Sequence, residues 1–198
     1  MPTAYFCSSS VQETQVEGSE PRLTLFDTGP DSRSIIRNIE ALKVPVERIE
    51  RVVLSHWHSD HSGGILAFLR HRNAHSPAGT PPCVFDLHPD RPTARGIAPV
   101  SAGGKVIARL PDDPTFVQIE ELGGTVEKHA DGHVVAGGTV WISGEIPRVT
   151  HFEGGLPSGV RWVQDGEKAG WVKEEVAHCN AIPCFRPPTD KHNQGYYG

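Results

Sequence analysis

LSHWHSDHSGGI, residues Leu54–Ile65, places three histidines and one aspartate within six residues. The apolar run RVVL leads directly into this segment, and a glycine pair follows the last histidine. In an extended strand end, residues two apart face the same side, so His56 and His58 can bind one metal ion. The turn that follows would bring Asp60 and His61 toward a neighbouring position. The segment therefore predicts two adjacent metal sites.

The donor types at these positions indicate the chemistry. Imidazole and carboxylate ligands suit zinc, manganese or iron better than calcium. Such an ion lowers the pKa of bound water to about 7 and polarises a substrate oxygen, and paired ions lie roughly 3.5–4 Å apart. We expect zinc, at two sites if both are complete, with manganese or iron as alternatives. The competing interpretation is a histidine-rich surface loop, which leaves the preceding strand and the glycine pair unexplained.

Composition bounds the class of protein. The chain has 198 residues, of which 37% are hydrophobic and 22% charged, as expected for one globular domain with a core. A net charge of -5 disfavours nucleic acid and anionic membranes as partners. The first residues lack a basic start followed by an apolar core, and no apolar run is long enough to span a bilayer. The four cysteines are few and scattered. We expect a cytoplasmic protein with reduced thiols.

Local patterns place the metal segment between a strand and a helix. Alternation over Leu23–Phe26 predicts a strand, and the spacing of apolar residues after Asp31 predicts an amphipathic helix that begins at Asp31 or Ser32. A short apolar strand then leads to His56. A second helix is expected from Ile65, followed by a polar loop over Arg70–Pro82.

Further along, strands are expected where apolar residues alternate or cluster between glycine-rich turns. These are Cys83–His88, Lys105–Leu110, Thr125–Lys128, His133–Val135 and Thr139–Ser143.

The motif HWHSDH resembles the His-x-His-x-Asp-His signature of the metallo-β-lactamase superfamily. The upstream LFDTG strengthens the resemblance, because family members carry an aspartate at a similar place, on the strand before the helix that precedes the metal loop. We expect Asp27 to orient a ligating histidine and not to bind metal itself. The fold class implied is α/β, an α+β sandwich with the metallo-β-lactamase-like αββα layers.

Two further segments resemble a narrower branch, the members similar to the dihydropterin-linked synthase of methanopterin biosynthesis. They are ISGEIPRVTHFEGG, residues Ile142–Gly155, and LHPD, residues Leu87–Asp90. The resemblance implies a metal-dependent hydrolase that acts on a small, possibly anionic metabolite through a metal-bound hydroxide. His56 and His58 would hold the first metal, Asp60 and His61 the second, and Asp60 would also orient the attacking water as a catalytic residue.

The resemblance runs from about Leu23 to about Gly166, and the later histidines and bridging acid of the superfamily have no matching motif. The domains expected are an N-terminal extension over 1–22, a partial metallo-β-lactamase-like domain over 23–166, and a poorly ordered tail over 167–198. Each metal would have two protein ligands, whereas catalytic zinc usually has three. Histidines that could stand in, with His88 preferred because it ends a predicted strand as the motif does, are His88, His129, His133, His151 and His178.

Two alternatives to an active enzyme stay open at this point. One is a truncated, catalytically inactive metal-binding or interaction protein, which the missing downstream ligands favour. The other is a homo-oligomer in which a second copy supplies ligands or covers a sheet face that half of a sandwich would expose. The pair Cys179 and Cys184 lacks a second cysteine pair and is not expected to bind metal.

Overall fold

A computed structural model describes residues 9–146, 150, 156–165, 168–174 and 183–185. The four helices in this part of the chain are α1 (Ser32–Leu42), α2 (Ser59–Ser62), α3 (Ile65–His75) and α4 (Phe116–Glu121). The strands are β1 (Ser10–Thr14), β2 (Arg22–Phe26), β3 (Ile49–Val53), β4 (Val84–Leu87), β5 (Arg95–Ile97), β6 (Ala108–Arg109), β7 (Thr125–Lys128), β8 (His133–Val135), β9 (Val140–Ile142), β10 (Gly159–Asp165), β11 (Lys168–Lys173) and β12 (Pro183–Phe185).

The largest sheet has five strands in the order β1-β2-β3-β4-β7. Strands β2, β3, β4 and β7 run parallel, and β1 pairs antiparallel with β2. Parallel neighbours require crossover connections, and here α1, α3 and α4 lie in those connections. The helices pack against one face of the sheet. Because β2, β3 and β4 are parallel, their carboxyl ends meet at one edge of the sheet.

Helix α1 shows how sequence sets a local boundary. The Asp31 side chain accepts hydrogen bonds from the backbone N–H groups of Arg33 and Ser34, which satisfies donors that the first turn leaves free. The helix ends where Lys43 adopts a left-handed conformation. Ile35 and Ile39 are buried against the sheet. The predicted amphipathic helix is confirmed, with Asp31 as its N-cap.

The two faces of the large sheet carry different packing. The helical face forms the main core, in which the fully buried side chains include Leu25, Val52, Ile65, Phe68 and Phe85. Burying side chains of this size stabilises the fold by about 1.5–3 kcal/mol each relative to leaving them exposed. On the other face, a smaller apolar cluster is formed by Val53, Val135, Val140 and Ile142.

Two smaller sheets complete the described structure. One has the order β11-β10-β5-β6, and the other has the order β12-β9-β8. Strands β8 and β9 form an antiparallel pair around a turn at residues 136–138. The predicted strands Thr125–Lys128 and His133–Val135 are confirmed, but they belong to different sheets, so the Asp131-Gly132 turn carries the chain from one sheet to another.

The polar loop predicted over Arg70–Pro82 was wrong in its first part, because α3 continues to His75. Burial of Arg72 explains the difference. Its guanidinium donates to the main-chain oxygens of Ile49 and Pro81, at 3.0 and 3.1 Å. Arg72, a charged residue typical of loops, is therefore buried here and connects α3 to the start of β3 and to the segment before β4.

The poorly ordered tail expected from residue 167 contains a paired strand. Strand β11 pairs with β10 along its whole length, from Lys168 opposite Asp165 to Lys173 opposite Val160. Strand β12 pairs with β9. The predicted boundary at residue 166 therefore falls, along the sequence, between two strands that pair with each other, while residues 166–167, 175–182 and 186–198 lie outside the described part. Among the described residues no helix has the length and hydropathy needed to cross a bilayer.

Candidate metal centre

The histidine-rich loop lies at the carboxyl end of β3 and runs into α2. Its position depends on close contact with the chain that follows β2. A Cβ atom on Gly63 would lie 2.2 Å from the Pro30 carbonyl oxygen, and one on Gly64 would lie 2.2 Å from the Thr28 carbonyl oxygen. The main-chain oxygen of His61 also accepts from the Thr28 N–H and hydroxyl, at 2.8 and 2.9 Å. The glycine pair is thus needed for close approach.

The first predicted ligand pair is brought together. The Nε2 atom of His56 lies 3.1 Å from the Nδ1 atom of His58, and the two rings meet edge to face. Two nitrogens bound to one tetrahedral zinc at about 2.0–2.1 Å are separated by about 3.3 Å. The two imidazoles are therefore spaced as ligands of a single ion.

The second predicted pair has similar spacing. The Nε2 atom of His61 lies 3.4 Å from Oδ2 of Asp60. The ring centroids of His56 and His61 are 4.1 Å apart, so the two pairs are neighbours. The Asp60 side chain is 69% exposed, which leaves it accessible from solvent. The structure thus brings the four predicted ligands into one group, and their role as two metal sites stays a prediction.

Each of the three imidazoles has a polar group near its other nitrogen, by a hydrogen bond for His56 and His61 and at an ion-pair distance for His58. Ser55 Oγ lies 3.0 Å from His56 Nδ1, and Asp27 Oδ2 lies 2.7 Å from His61 Nδ1. Glu174, buried at the end of β11, places Oε1 3.4 Å from His58 Nε2. Metal-binding histidines in proteins usually have such an outer partner, which sets the ring orientation and the tautomer. The donor set and its supports therefore fit a divalent metal ion.

Asp27 has the orienting contact that the sequence predicts. Its carboxylate also accepts from the Ser55 N–H at 2.7 Å and from the Ser55 hydroxyl at 2.8 Å. The residue is 1% exposed and has a φ of 57°. A buried carboxylate in the left-handed region, where aspartate is tolerated better than most side chains, thus connects β2 to the loop and to His61.

Electrostatics favours neutral His56 and an ionised Glu174. Burial, followed by the nearby charges of His61 and His58, lowers the pKa of His56 to about 4, and a neutral imidazole is the metal-binding form. Burial tends to lower the pKa of His61 as well, but the hydrogen bond and charge of Asp27 outweigh it and raise the pKa. Burial of Glu174 is outweighed by His58, so its pKa is lowered.

The predicted stand-in histidines have other environments. His88 accepts at its main-chain oxygen from the Trp57 indole and at Nδ1 from the Asp90 N–H, and its Nε2 lies 3.6 Å from Glu145 Oε2. His129 and His133 both contact Asp86 instead. His151 and His178 lie outside the described residues. A role for His88 as a ligand stays a prediction.

A cavity of about 740 Å³ lies beside α2. Its lining includes Ser59, Ser62, Arg70 and Arg91. The Ser62 hydroxyl donates to Asp113, which is held in a buried ion pair with Arg95 at 2.9 Å. None of the four predicted metal ligands lines this cavity, so we do not place the substrate there.

Comparison with known protein families shows the family to which this chain belongs. The family model described as the Metallo-beta-lactamase superfamily matches residues 6–151. The chain belongs to the metallo-beta-lactamase superfamily. The αββα fold class predicted from the histidine motif is thereby confirmed.

This superfamily member spans only part of the length of the relatives that it matches. The 7,8-dihydropterin-6-methyl-4-(beta-D-ribofuranosyl)-aminobenzene-5'-phosphate synthase of Methanocaldococcus jannaschii is 32% identical over 75 residues, which is 38% of this chain and 25% of that protein. Solved structures with a similar chain include Rm3 metallo-beta-lactamase, at 19% identity and TM-score 0.43, with 80% of this chain and 52% of that chain covered. MEM-A1, a subclass B3 metallo-beta-lactamase from a soil metagenome library, has 18% identity and TM-score 0.43, with coverage of 85% and 60%.

Sequence reasoning missed two contributors to this metallo-beta-lactamase-like site. Ser55 could have been considered, because it directly precedes the motif and its backbone ends the strand. Glu174 carried no usable signal, since it is far from the motif in sequence and lies in a segment expected to be loose. The β10–β11 hairpin brings it to His58.

The LHPD segment has a structural role in the same region. Asp90 forms a paired ion contact with the Arg161 guanidinium, with distances of 2.5 and 2.8 Å. Arg161 lies on β10, the strand that pairs with the strand leading to Glu174. The Asp90–Arg161 and His58–Glu174 contacts both connect the four-stranded sheet to the edge of the large sheet that carries the metal loop.

Proposed function

We propose that this chain is a metal-dependent hydrolase that acts on a small, anionic metabolite. The observation that carries the proposal is the paired geometry of the loop. His56 and His58 present nitrogens 3.1 Å apart, and His61 and Asp60 present donors 3.4 Å apart, while polar groups lie near the outer ring nitrogens.

The residues divide the work as follows. His56 and His58 would hold one divalent ion, and Asp60 and His61 a second. Bound there, the metal would activate water and polarise a substrate oxygen. Zinc suits the imidazole and carboxylate donors best, with manganese or iron as alternatives. The exposed Asp60 carboxylate would also accept a hydrogen bond from the attacking water and orient it.

The substrate class is an ester, phosphoester, thioester or lactone of a small metabolite. The name of the Methanocaldococcus jannaschii relative includes a 5'-phosphate, which supports an anionic group on the substrate. The matched segment covers 25% of that protein, so its own activity is not transferred to this chain. We place the activity in the cytoplasm, because the few scattered cysteines are typical of reducing compartments. The proposed partners are the small-molecule substrate and, on the sheet surface, a second copy of the chain.

The first experiment measures metal content and hydrolysis together. Protein purified without chelator is analysed by elemental mass spectrometry and then screened against generic phosphoester, thioester and lactone substrates. The natural sequence should hold about two metal ions at the loop and hydrolyse at least one class. His58→Ala should lose metal and activity together, and His75→Ala, on an exposed part of α3, should lose neither. Less than half a metal ion per chain in the natural protein would refute the proposal.

A second candidate is a metal-binding protein without turnover. The number of ligands in the loop favours it, because two donors per ion is one fewer than catalytic zinc usually has. The two functions differ in one result. A chain that holds metal in a His58-dependent way, but hydrolyses none of the substrate classes when fully loaded, would support the second candidate.

A further inference from the structure

The opposite face of the large sheet carries a second group of metal-type donors. Asp86 on β4, His129 after β7 and His133 at the start of β8 have ligand atoms that all lie within 4.8 Å of one another. We call this group the Asp86 cluster. It shares no residue with the loop of His56 and His58, and Asp86 faces away from the helical core.

The geometry of the cluster converges on one carboxylate. His129 Nδ1 lies 3.0 Å from Asp86 Oδ1, and His133 Nε2 lies 2.9 Å from Oδ2. The two imidazole rings are tilted by 36° to one another, with their centroids 3.9 Å apart. Asp86 is 2% exposed, whereas the histidine side chains are 35% and 21% exposed. An ion could therefore reach the buried carboxylate from the side of the histidines.

Hydrogen-bond roles point to a cation between His133 and Asp86. His133 Nδ1 lies 3.1 Å from the main-chain oxygen of Asp131, which can only accept, so Nδ1 carries a proton. In a neutral imidazole the Nε2 atom then has a lone pair, and it faces a carboxylate oxygen that also only accepts. Two acceptors at this separation repel each other unless a metal ion lies between them or the imidazole takes up a second proton.

Two charged side chains, Arg51 and Glu127, adjoin the Asp86 carboxylate. Arg51 Nη1 lies 2.7 Å from Asp86 Oδ2 and also 2.7 Å from Glu127 Oε2. The guanidinium orients the aspartate, and Glu127 offsets its charge. With neutral histidines the group of two acids and one base has a net negative charge, which attracts a divalent cation.

We propose that the Asp86 cluster is a further divalent transition-metal site, independent of the histidine-rich loop. Two imidazole nitrogens and one carboxylate suit zinc, with cobalt as a spectroscopic substitute. His129 and His133 bracket the turn that carries the chain from the large sheet to the three-stranded sheet, so a bound ion would fasten that crossing to β4.

The test uses zinc on the full chain and four variants. His133→Gln removes the Nε2 ligand with little change of volume, His58→Gln removes a loop ligand, the double variant removes both, and His75→Gln is the surface control. After equilibration with zinc and gel filtration, His133→Gln should hold about one ion fewer than the natural chain, and the double variant fewer than either single variant. His75→Gln should match the natural chain. Equal zinc in His133→Gln and the natural protein would overturn the proposal.

A second measurement does not depend on any variant folding. The natural chain is treated with diethylpyrocarbonate, with and without zinc, and modified histidines are identified by mass spectrometry. With free zinc at ten times the dissociation constant, about one-eleventh of the site stays free, so modification of His129 and His133 should slow about tenfold. His75 should react at an unchanged rate. Equal modification of His129 and His133 with and without zinc would contradict the site, whatever the loop binds.

Discussion

Replacing Gly64 with alanine tests whether close packing positions the metal loop. The new Cβ would lie 2.2 Å from the Thr28 oxygen and 2.9 Å from Ile35 Cγ2, where an ordinary contact is at least 3.4 Å. One of the two segments must therefore move by more than 1 Å. Overpacking of this kind costs about 1–3 kcal/mol, and backbone carbonyls cannot rotate away as side chains can.

A smaller effect acts in the opposite direction. Gly64 has φ −90° and ψ −8°, a conformation that alanine adopts freely, so the substitution stiffens the unfolded chain and recovers about 0.4–1 kcal/mol. The net expectation is a loss of about 1 kcal/mol in the free energy of unfolding. Thr28 also binds the His61 main chain, so displacement of this contact should weaken metal binding as well.

Urea unfolding followed by circular dichroism measures the loss. The matched control is Gly170→Ala, because a Cβ there meets nothing within 4 Å and the residue has no positive φ. We expect the control to stay within about 0.5 kcal/mol of the natural chain. If Gly64→Ala and Gly170→Ala unfold at the same urea concentration, the packing explanation of the glycine pair is wrong.

Three further predictions concern the groups around the loop. Asp27→Asn should lower the zinc affinity of the loop by about 10–100-fold, because an amide at this position cannot make the charged contact to His61. Competition with a chromophoric chelator measures this affinity, and an unchanged value would contradict the orienting role of Asp27. Glu174→Gln should weaken the same affinity by about tenfold through His58, and no loss would show that the contact is incidental. Cys83 is fully buried, and burial raises the pKa of its thiol to about 12. Iodoacetamide at pH 8 should therefore alkylate Cys83 only after unfolding, which peptide mapping measures. Alkylation of Cys83 in the native protein would contradict its burial.

The grouping of the candidate metal ligands could be predicted because they are close in sequence. His56, His58, Asp60 and His61 follow one strand end, where side-chain direction alternates and a turn begins. The outer partners could not all be predicted in the same way. Asp27 was found through the family resemblance, whereas Glu174 reaches His58 only because a hairpin pairs against β5.

The same distinction between local and distant contacts applies to the prediction of the fold. Local rules predicted α1, since an aspartate cap and helical spacing act within a few residues. They failed at residues 70–75, where the benefit of helix comes from burying Arg72 and joining its guanidinium to distant carbonyl groups. Sequence pattern likewise found the strands on either side of the Asp131-Gly132 turn but not that they enter different sheets.

The sequence by itself determined the metal-type loop, the helix and strands around it and the superfamily. Those features depend on periodicity, capping and ligand spacing, which act over a few neighbouring residues. Tertiary structure alone decided that Glu174 contacts His58 and that His129 and His133 meet Asp86. Such contacts depend on which strands become neighbours, and strand neighbours are selected by burial of the whole sheet and not by any local pattern.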